Sequence, residues 1–333
     1  MQHNRLSFSL KLVLGLILLL VTFFISLIFG AADTEVKEVW LALTSTVKTD
    51  TIVMLREIRL PRVVAAVLVG AGLSVAGAIM QGITRNPLAD PSILGLTAGA
   101  NAALAVTIAL VPSANYFAIM IACFIGAGIG TIIVVSIGSA KKGGFSPLRI
   151  VLAGAAVSAF LYAIADGVGL YFNISKDVSM WSAGGIIGTT WGQLQVIAPF
   201  VIIGMVISIF LSRQLTILSL DEEVAIGLGQ NITAIKFALF VIVILLAGAS
   251  VALVGNLAFI GLMIPHIVRA IVGTDYRFVL PMSAVAGAIF MLFADTLGRN
   301  LNAPFETPVP AIVAIIGLPF FLFIVHKGGK VLS

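Results

Sequence analysis

Val63-Val64-Ala65-Ala66-Val67-Leu68-Val69-Gly70-Ala71-Gly72-Leu73-Ser74-Val75-Ala76-Gly77-Ala78-Ile79-Met80-Gln81-Gly82-Ile83 decides the fold class of this chain. The run carries no charge and is long enough to cross a hydrocarbon core of about 30 Å as a helix. It lacks the alternation of apolar and polar residues that marks a barrel strand. In lipid, a segment of this kind satisfies its own backbone only as a helix. The same reading extends in both directions, to apolar runs at 10–30, 93–111, 116–138, 147–172, 191–211, 234–254, 257–272, 278–297 and 307–326. Ten spans result, with 257–272 the shortest. Of 333 residues 60% are hydrophobic and 10% charged, against about 25% charged in a soluble domain. The chain is therefore expected to be an all-α membrane protein, a polytopic bundle of about ten transmembrane helices. No linker divides it, so residues 1–333 are read as one transmembrane domain.

Arg5 and Lys11 precede the first apolar run, and Gly30-Ala31-Ala32 offers small residues after it, as in a cleaved leader. The run is longer than the apolar core of such leaders, so it is read as a retained first span. Ten crossings place both termini on one side. Seven of the 19 Lys and Arg then lie opposite (Lys37, Lys48, Arg56, Arg59, Arg62, Lys176, Arg299), and the other twelve lie with the termini. Positive charge is retained on the cytoplasmic side, so both termini are expected there, in a cell-membrane protein. The net charge of +5 follows from that bias and does not indicate nucleic acid. The lone Cys123 sits among apolar residues and is read as core packing. Gly126 and Gly130, and Gly184 and Gly188, have the spacing that lets helices approach closely, and are read as packing within the bundle.

Ala71-Gly72-Leu73-Ser74-Val75-Ala76 is echoed by Ala247-Gly248-Ala249-Ser250-Val251-Ala252. In the ten-span arrangement the two copies run in opposite senses, the pattern of an inverted repeat. Ser74, Met80, Ser158, Ser250 and Asn256 are the small or weakly polar span residues expected to line a path. At the outer end of the second span stands Arg56-Glu57-Ile58-Arg59-Leu60-Pro61-Arg62. Such a cluster either meets carboxylates of a soluble partner or snorkels to lipid phosphates. Arg85-Asn86-Pro87-Leu88-Ala89-Asp90-Pro91 interrupts the apolar pattern and reads as a bent turn at the cytoplasmic face, either a gate or a structural corner. In the segment of about 213–235, Ser219 or Asp221 would cap a short helix containing Glu222 and Glu223, which favour its dipole. Gly227 and Gly229 would end it, leaving Leu220, Val224, Ala225 and Leu228 on a face suited to a partner's groove. Pro265-His266-Ile267-Val268-Arg269, then Asp275 and Arg277, form a cytoplasmic loop.

Three of these features together resemble the FecCD family: the stretch 56–99, the Pro265-His266-x-x-Arg269 segment, and the tail Asp295…Arg299…Glu306…Gly317-x-Pro319. The resemblance covers nearly the whole chain in order. These are permeases of type II ABC importers for iron–siderophores, haem and vitamin B12. It implies ten spans and a second permease subunit, identical or related. It also implies cytoplasmic ABC ATPase subunits and an extracytoplasmic substrate-binding protein. By position, Arg59 and Arg299 match arginines that in the family meet glutamates of the binding protein, with Arg56 and Arg62 flanking. Leu220, Glu222, Glu223, Val224, Ala225, Leu228 and Gly229 fall on the loop that couples to the ATPase. Arg85, Asn86, Pro87, Asp90 and Pro91 match the family signature beside the cytoplasmic mouth. Pro310 stands where many relatives have Gly. An iron(III)–siderophore is the cargo implied, with cobalamin and haem as alternatives.

Other classes fit the residues less well. No Gly-x-x-x-x-Gly-Lys-Ser/Thr phosphate loop occurs, so a permease would draw energy from a separate ATPase. Asp166 and Asp295 are too few for the carboxylate relay of an ion-coupled transporter. His3, His266 and His326 have no metal-ligand spacing and no nucleophile stands near a base, so no metal, cofactor or enzymatic activity is expected.

Overall fold

A computed structural model describes residues 7–30, 34–140, 147–183, 185–220, 222–303 and 305–326. In chain order the helices are α1 (Phe8–Ile28), α2 (Val36–Thr44), α3 (Asp50–Met54), α4 (Leu60–Thr84), α5 (Leu96–Leu110), α6 (Tyr116–Ser139), α7 (Pro147–Tyr171) and α8 (Ser175–Ala183). They continue with α9 (Trp191–Phe210), α10 (Ser212–Leu220), α11 (Glu222–Gly227), α12 (Ile232–Val243), α13 (Ala249–Val254), α14 (Ile260–Val272), α15 (Tyr276–Asn300) and α16 (Val309–His326). No strand occurs among the described residues. Seven continuous helical segments are long and apolar enough to cross a membrane, and α5, α14 and most of α16 are shorter apolar helices. Together they fall on the ten expected runs.

Helix α4 is the axis. Its apolar window is 83% buried, against 11% for α1. Small residues make this possible. A Cβ on Gly70 would overlap the Gly287 carbonyl of α15, and one on Gly77 would overlap the Gly261 carbonyl of α14. The echoed segments meet here, with Gly72 packed against Ser250. Gly126 and Gly130 take the backbone of α5 at Gly99 and Gly95, so their spacing serves packing inside the chain. Gly188 has nothing near it, and Gly184 lies outside the described residues. Cys123 is fully buried.

The second span starts earlier than its apolar run. A π-turn, Leu55–Arg59, joins α3 to α4, with Leu60 N–H reaching the Leu55 carbonyl. Pro61 has no N–H to return to that turn, and the Arg56 carbonyl instead accepts from Trp191 Nε1 at 2.9 Å.

One end of the bundle gathers the start of α1 and the ends of α4 and α14. Lys11 donates to the Ile271 carbonyl at 2.6 Å, and the Phe8 and Phe278 rings lie 4.5 Å apart. At this amino-terminal end Asp275 caps α15. Its Oδ1 accepts the Arg277 backbone N–H at 3.0 Å and lies 3.1 Å from Thr216 Oγ1 of α10. Thr216 Oγ1 in turn accepts the Tyr276 N–H at 3.0 Å. The Arg277 guanidinium, 2.6 Å from Oδ2, holds the Asp275 carboxyl below the usual carboxylate range. The capped end of α15 is thereby tied to α10.

Candidate functional site

At the opposite end, arginines cap helix ends. Arg56 was expected to be exposed for docking, but its guanidinium donates to the carbonyls of Ala42 at 2.7 Å, Leu41 at 3.0 Å, Val47 at 3.0 Å and also Ser45. These are carbonyls at and beyond the end of α2, where helical donors run out and a basic side chain is well placed; the Leu41 carbonyl also accepts the Ser45 N–H at 3.0 Å. Arg59 does the same for α1, donating to Leu27 O at 2.8 Å, Ile28 O at 3.1 Å and Thr34 Oγ1 at 2.8 Å. Arg299 completes that cap through Ser26 O at 3.0 Å, Ser26 Oγ at 2.7 Å and Phe29 O at 3.1 Å. The negative end of the α1 dipole favours both cations.

Behind this cap lies an ion cluster. Arg62 Nε meets Asp295 Oδ1 at 2.8 Å, and Arg62 NH1 grips both Glu306 oxygens at 2.7 and 2.9 Å. Arg299 Nε lies 3.1 Å from Asp295 Oδ2. Arg59, Arg62 and Arg299 are 5%, 7% and 3% exposed, so the open basic cluster expected from sequence is a buried one here. Two carboxylates and the bare carbonyls within reach compete with solvent for these guanidiniums.

The signature turn is built by its own side chains. Arg85 ends α4 in the left-handed region, at φ 51°. Asn86 Oδ1 accepts the Leu88 N–H at 2.9 Å. Asp90 Oδ1 accepts the Ser92 N–H at 2.9 Å and caps the short turn Pro91–Leu94. Burial beside Leu73, Pro91 and Leu257 pushes the Asp90 carboxyl up.

Gln81 was not singled out from sequence, yet it joins this corner to α14. Pro265 has no N–H, so the Gly261 carbonyl one turn back loses its helical partner. Gln81 Nε2 supplies the donor, at 3.2 Å to Gly261 O and 3.2 Å to Leu262 O. Its Oε1 accepts from the Arg269 guanidinium. An amide in an otherwise apolar run, with a proline inside a later apolar segment, is the signal that could have found it. Pro265, His266 and Arg269, expected in a cytoplasmic loop, lie inside α14, and the His266 ring packs edge-on against Phe320, 5.9 Å away. Gln81→Leu is expected to cost about 1–3 kcal/mol, because buried polar groups lose their partners. Unfolding of the purified protein in detergent checks this. The cost should shrink in a Pro265→Ala background, where the N–H returns to Gly261 O. An equal cost in both backgrounds refutes the assignment.

Beyond α10 at the amino-terminal end, α11 forms as a separate short helix. Leu220, Val224 and Leu228 are 68%, 47% and 64% exposed, and Ala225 is buried. Gly229 terminates the segment in the left-handed region, at φ 77°. Ser219 does not cap it. Helix α10 runs on through this residue, and its Oγ donates to the Thr216 carbonyl at 2.7 Å. Asp221 and the Glu222 side chain lie outside the described residues.

Three expected path residues take another role. Ser74, Met80 and Ser250 have no exposed surface; they fill helix–helix contacts around α4, where only small or slender side chains fit. Ser158 is half-buried. Asn256 lines a polar cavity of about 250 Å³ with Asn101, Tyr162, Asp166 and Trp181. Asp166 is exposed near the end of α7, with no ion pair among the described residues. No group of three potential metal ligands occurs among the described residues.

Residues 18–327 match the FecCD transport family. This chain belongs to that family. It is 43% identical over 317 residues to the iron(3+)-hydroxamate import system permease protein FhuB of Bacillus subtilis, covering 95% of this chain and 83% of that protein. The Fe(3+)-citrate import system permease protein YfmD of the same organism is 42% identical over 271 residues, 81% of this chain and 80% of that one. Among solved structures, an inward-facing conformation of a metal-chelate type ABC transporter superposes with a TM-score of 0.84 at 28% identity, over 96% of this chain and 99% of that one. As a FecCD chain the protein is a multi-pass transport permease subunit rather than an enzyme.

Proposed function

We propose that this FecCD permease carries an iron(III)–siderophore complex across the cytoplasmic membrane as part of an ABC importer. One observation carries the reading: nearly the whole chain aligns with an iron-hydroxamate permease. ATP hydrolysis then belongs to separate subunits, seated against α10 and α11 through Leu220, Val224 and Leu228. Both termini are cytoplasmic, which puts the arginine end outside, facing a substrate-binding protein. A second permease chain, identical or related, completes the path. Ala155, Ala159, Ala163 and Asp166 form an exposed face of α7. A carboxylate on such a face belongs against water or protein rather than lipid, so this face is assigned to the path or to the second chain. In that assembly the turn 85–91 works as a hinge beside the cytoplasmic mouth. Transport alternates between two packings of the bundle, biased by ATP and by the docked binding protein.

The cargo is tested by labelled-iron uptake in a deletion strain given ferric hydroxamate, catecholate and citrate chelates in turn. Loss of one class, restored by the gene, is expected. No loss of any class, with redundant permeases also deleted, refutes the iron reading. Docking is tested separately. We assign Arg59 and Arg299 to the binding protein's carboxylates, exchanged for the carbonyls of α1. Arg59→Gln keeps a donor for those carbonyls and removes the charge. It is expected to weaken capture of the binding protein about tenfold or more, the scale of one charge-assisted hydrogen bond. Unchanged capture by the folded variant refutes the docking role.

A further inference from the structure

The polar cavity of about 250 Å³ is enclosed by three helices and a turn. Thr97 and Asn101 line it from α5, Tyr162 and Asp166 from α7, Trp181 from α8, and Asn256 from the turn after α13. Its hydrogen-bonding groups are unused. Elsewhere in the bundle a hydroxyl donates to the carbonyl one turn back, as those of Thr107, Thr131 and Ser250 do at 2.7, 3.0 and 2.7 Å. In the cavity, Asn101 Oδ1 accepts from Ser182 Oγ at 2.8 Å, and Asn101 Nδ2 is left with no acceptor among the described residues. The Thr97 and Tyr162 hydroxyls and the Asn256 amide have no hydrogen-bond partner there either. Trp181 Nε1 is buried and unpaired. Buried polar groups without a protein partner call for water or a ligand.

The lining carries one formal charge, Asp166, and no Lys, Arg or His. Lys176 and Asp177, which follow the lining residue Ser175, are neighbours of opposite sign. Lys141 and Lys142 precede α7, and Asp166 stands about 28 Å along that helix from its start. An ionisable residue on a span is a mark of function.

We propose that this cavity selects the cargo by charge: its amide, indole and hydroxyl groups receive one arm of a neutral or cationic ferric hydroxamate, and Asp166 turns away the polyanionic catecholate and citrate complexes of iron(III). The inference rests on the importer reading above and narrows its cargo. A hydroxamate carries a single negative charge, so a full set of them neutralises iron(III). A catecholate carries two and leaves a polyanion, and citrate complexes are also anionic. Neutral hydroxamate oxygens match the donors at Asn101 Nδ2 and Trp181 Nε1. A carboxylate in a wall of low dielectric repels an anion far more strongly than it would in water. Such like-charge contacts are a means of rejecting the wrong ligand. The cavity is smaller than a pocket for a whole ligand, so it takes one arm of the chelate.

The test holds the iron centre constant and changes only the charge. Labelled-iron uptake is measured in the deletion strain carrying the parent or a variant permease. The probes are ferrioxamine B, a cation through its free amine, its neutral N-acetyl derivative and its anionic N-succinyl derivative. The parent is expected to favour the cation and the neutral form over the anion. Asp166→Asn is expected to raise the anion-to-neutral uptake ratio about tenfold, the scale of one like-charge contact at an effective protein dielectric. Asp166→Glu keeps the parent's ratio. The ratio does not depend on how much folded permease each strain makes, and the preferences of the shared binding protein cancel between strains. Asn101→Leu raises KM for all three probes. The charge filter is overturned by an unchanged ratio in Asp166→Asn, or by a parent that takes up ferric catecholate or citrate but none of the three hydroxamates. An unchanged KM in Asn101→Leu removes the amide from the cargo contact. Failure of the parent gene to restore uptake of any ferric chelate overturns the importer reading itself.

Discussion

Asp295→Asn is expected to destabilise the protein by about 3–5 kcal/mol, the cost of removing one partner from a buried ion pair. Asp295 has no exposed surface and is the acid that faces both Arg62 and Arg299, at 2.8 and 3.1 Å. With the carboxylate gone, two guanidiniums remain buried with one acid, Glu306, whose side chain is 28% exposed and reaches only Arg62. Their mutual repulsion is no longer offset. The loss should appear as a lower unfolding midpoint in detergent and a smaller folded yield. Glu306→Gln is the comparison. A partly exposed partner contributes at most about 1 kcal/mol, so that variant should stay close to the parent. If the two variants behave alike, Asp295 is not the hub of the cluster.

The second large effect is on transport rather than stability. Val224→Asp combined with Leu228→Asp is expected to bring labelled-iron uptake down to background while the protein folds normally. Both side chains are exposed, so the substitutions bury no charge in the chain itself. A partner groove that receives them would have to bury two carboxylates without counter-charges, at several kcal/mol each. ATP hydrolysis by the assembled transporter should then proceed without stimulation by the loaded binding protein. Normal coupled uptake in this variant would remove α11 from the ATPase contact.

The bundle was readable because each span is a long apolar run, and lipid leaves such a run one backbone solution. The short run 257–272 appears as α14, and the echo of residues 71–76 at 247–252 lies where the two copies pack. What could not be read was the use of polar atoms. A cluster such as Arg56, Arg59 and Arg62 looks free in sequence because local spacing says nothing of the carbonyls at the ends of α1 and α2. Ser74 and Ser250 look like path residues because small polar side chains serve a path and a tight helix contact equally well. Ser219 looks like a cap, but nothing between Ser212 and Leu220 stops α10. Gln81 acquires a purpose only once Pro265 is placed beside it in space.

The separation along the chain of the groups that neutralise α4 sets an order of events during synthesis. Arg62 finds Asp295 and Glu306 only 233 and 244 residues later, and Gln81 finds Gly261 after 180. At 5–20 residues per second the ribosome leaves Arg62 without its carboxylates for roughly 10–50 s. The central helix of the finished bundle is thus an early insert with an unmatched cation, held near the headgroups until the ninth span arrives. A chain that stalls before Asp295 leaves that cation without its carboxylates, so the ion cluster at this end of the bundle closes only when the carboxy-terminal spans are in place.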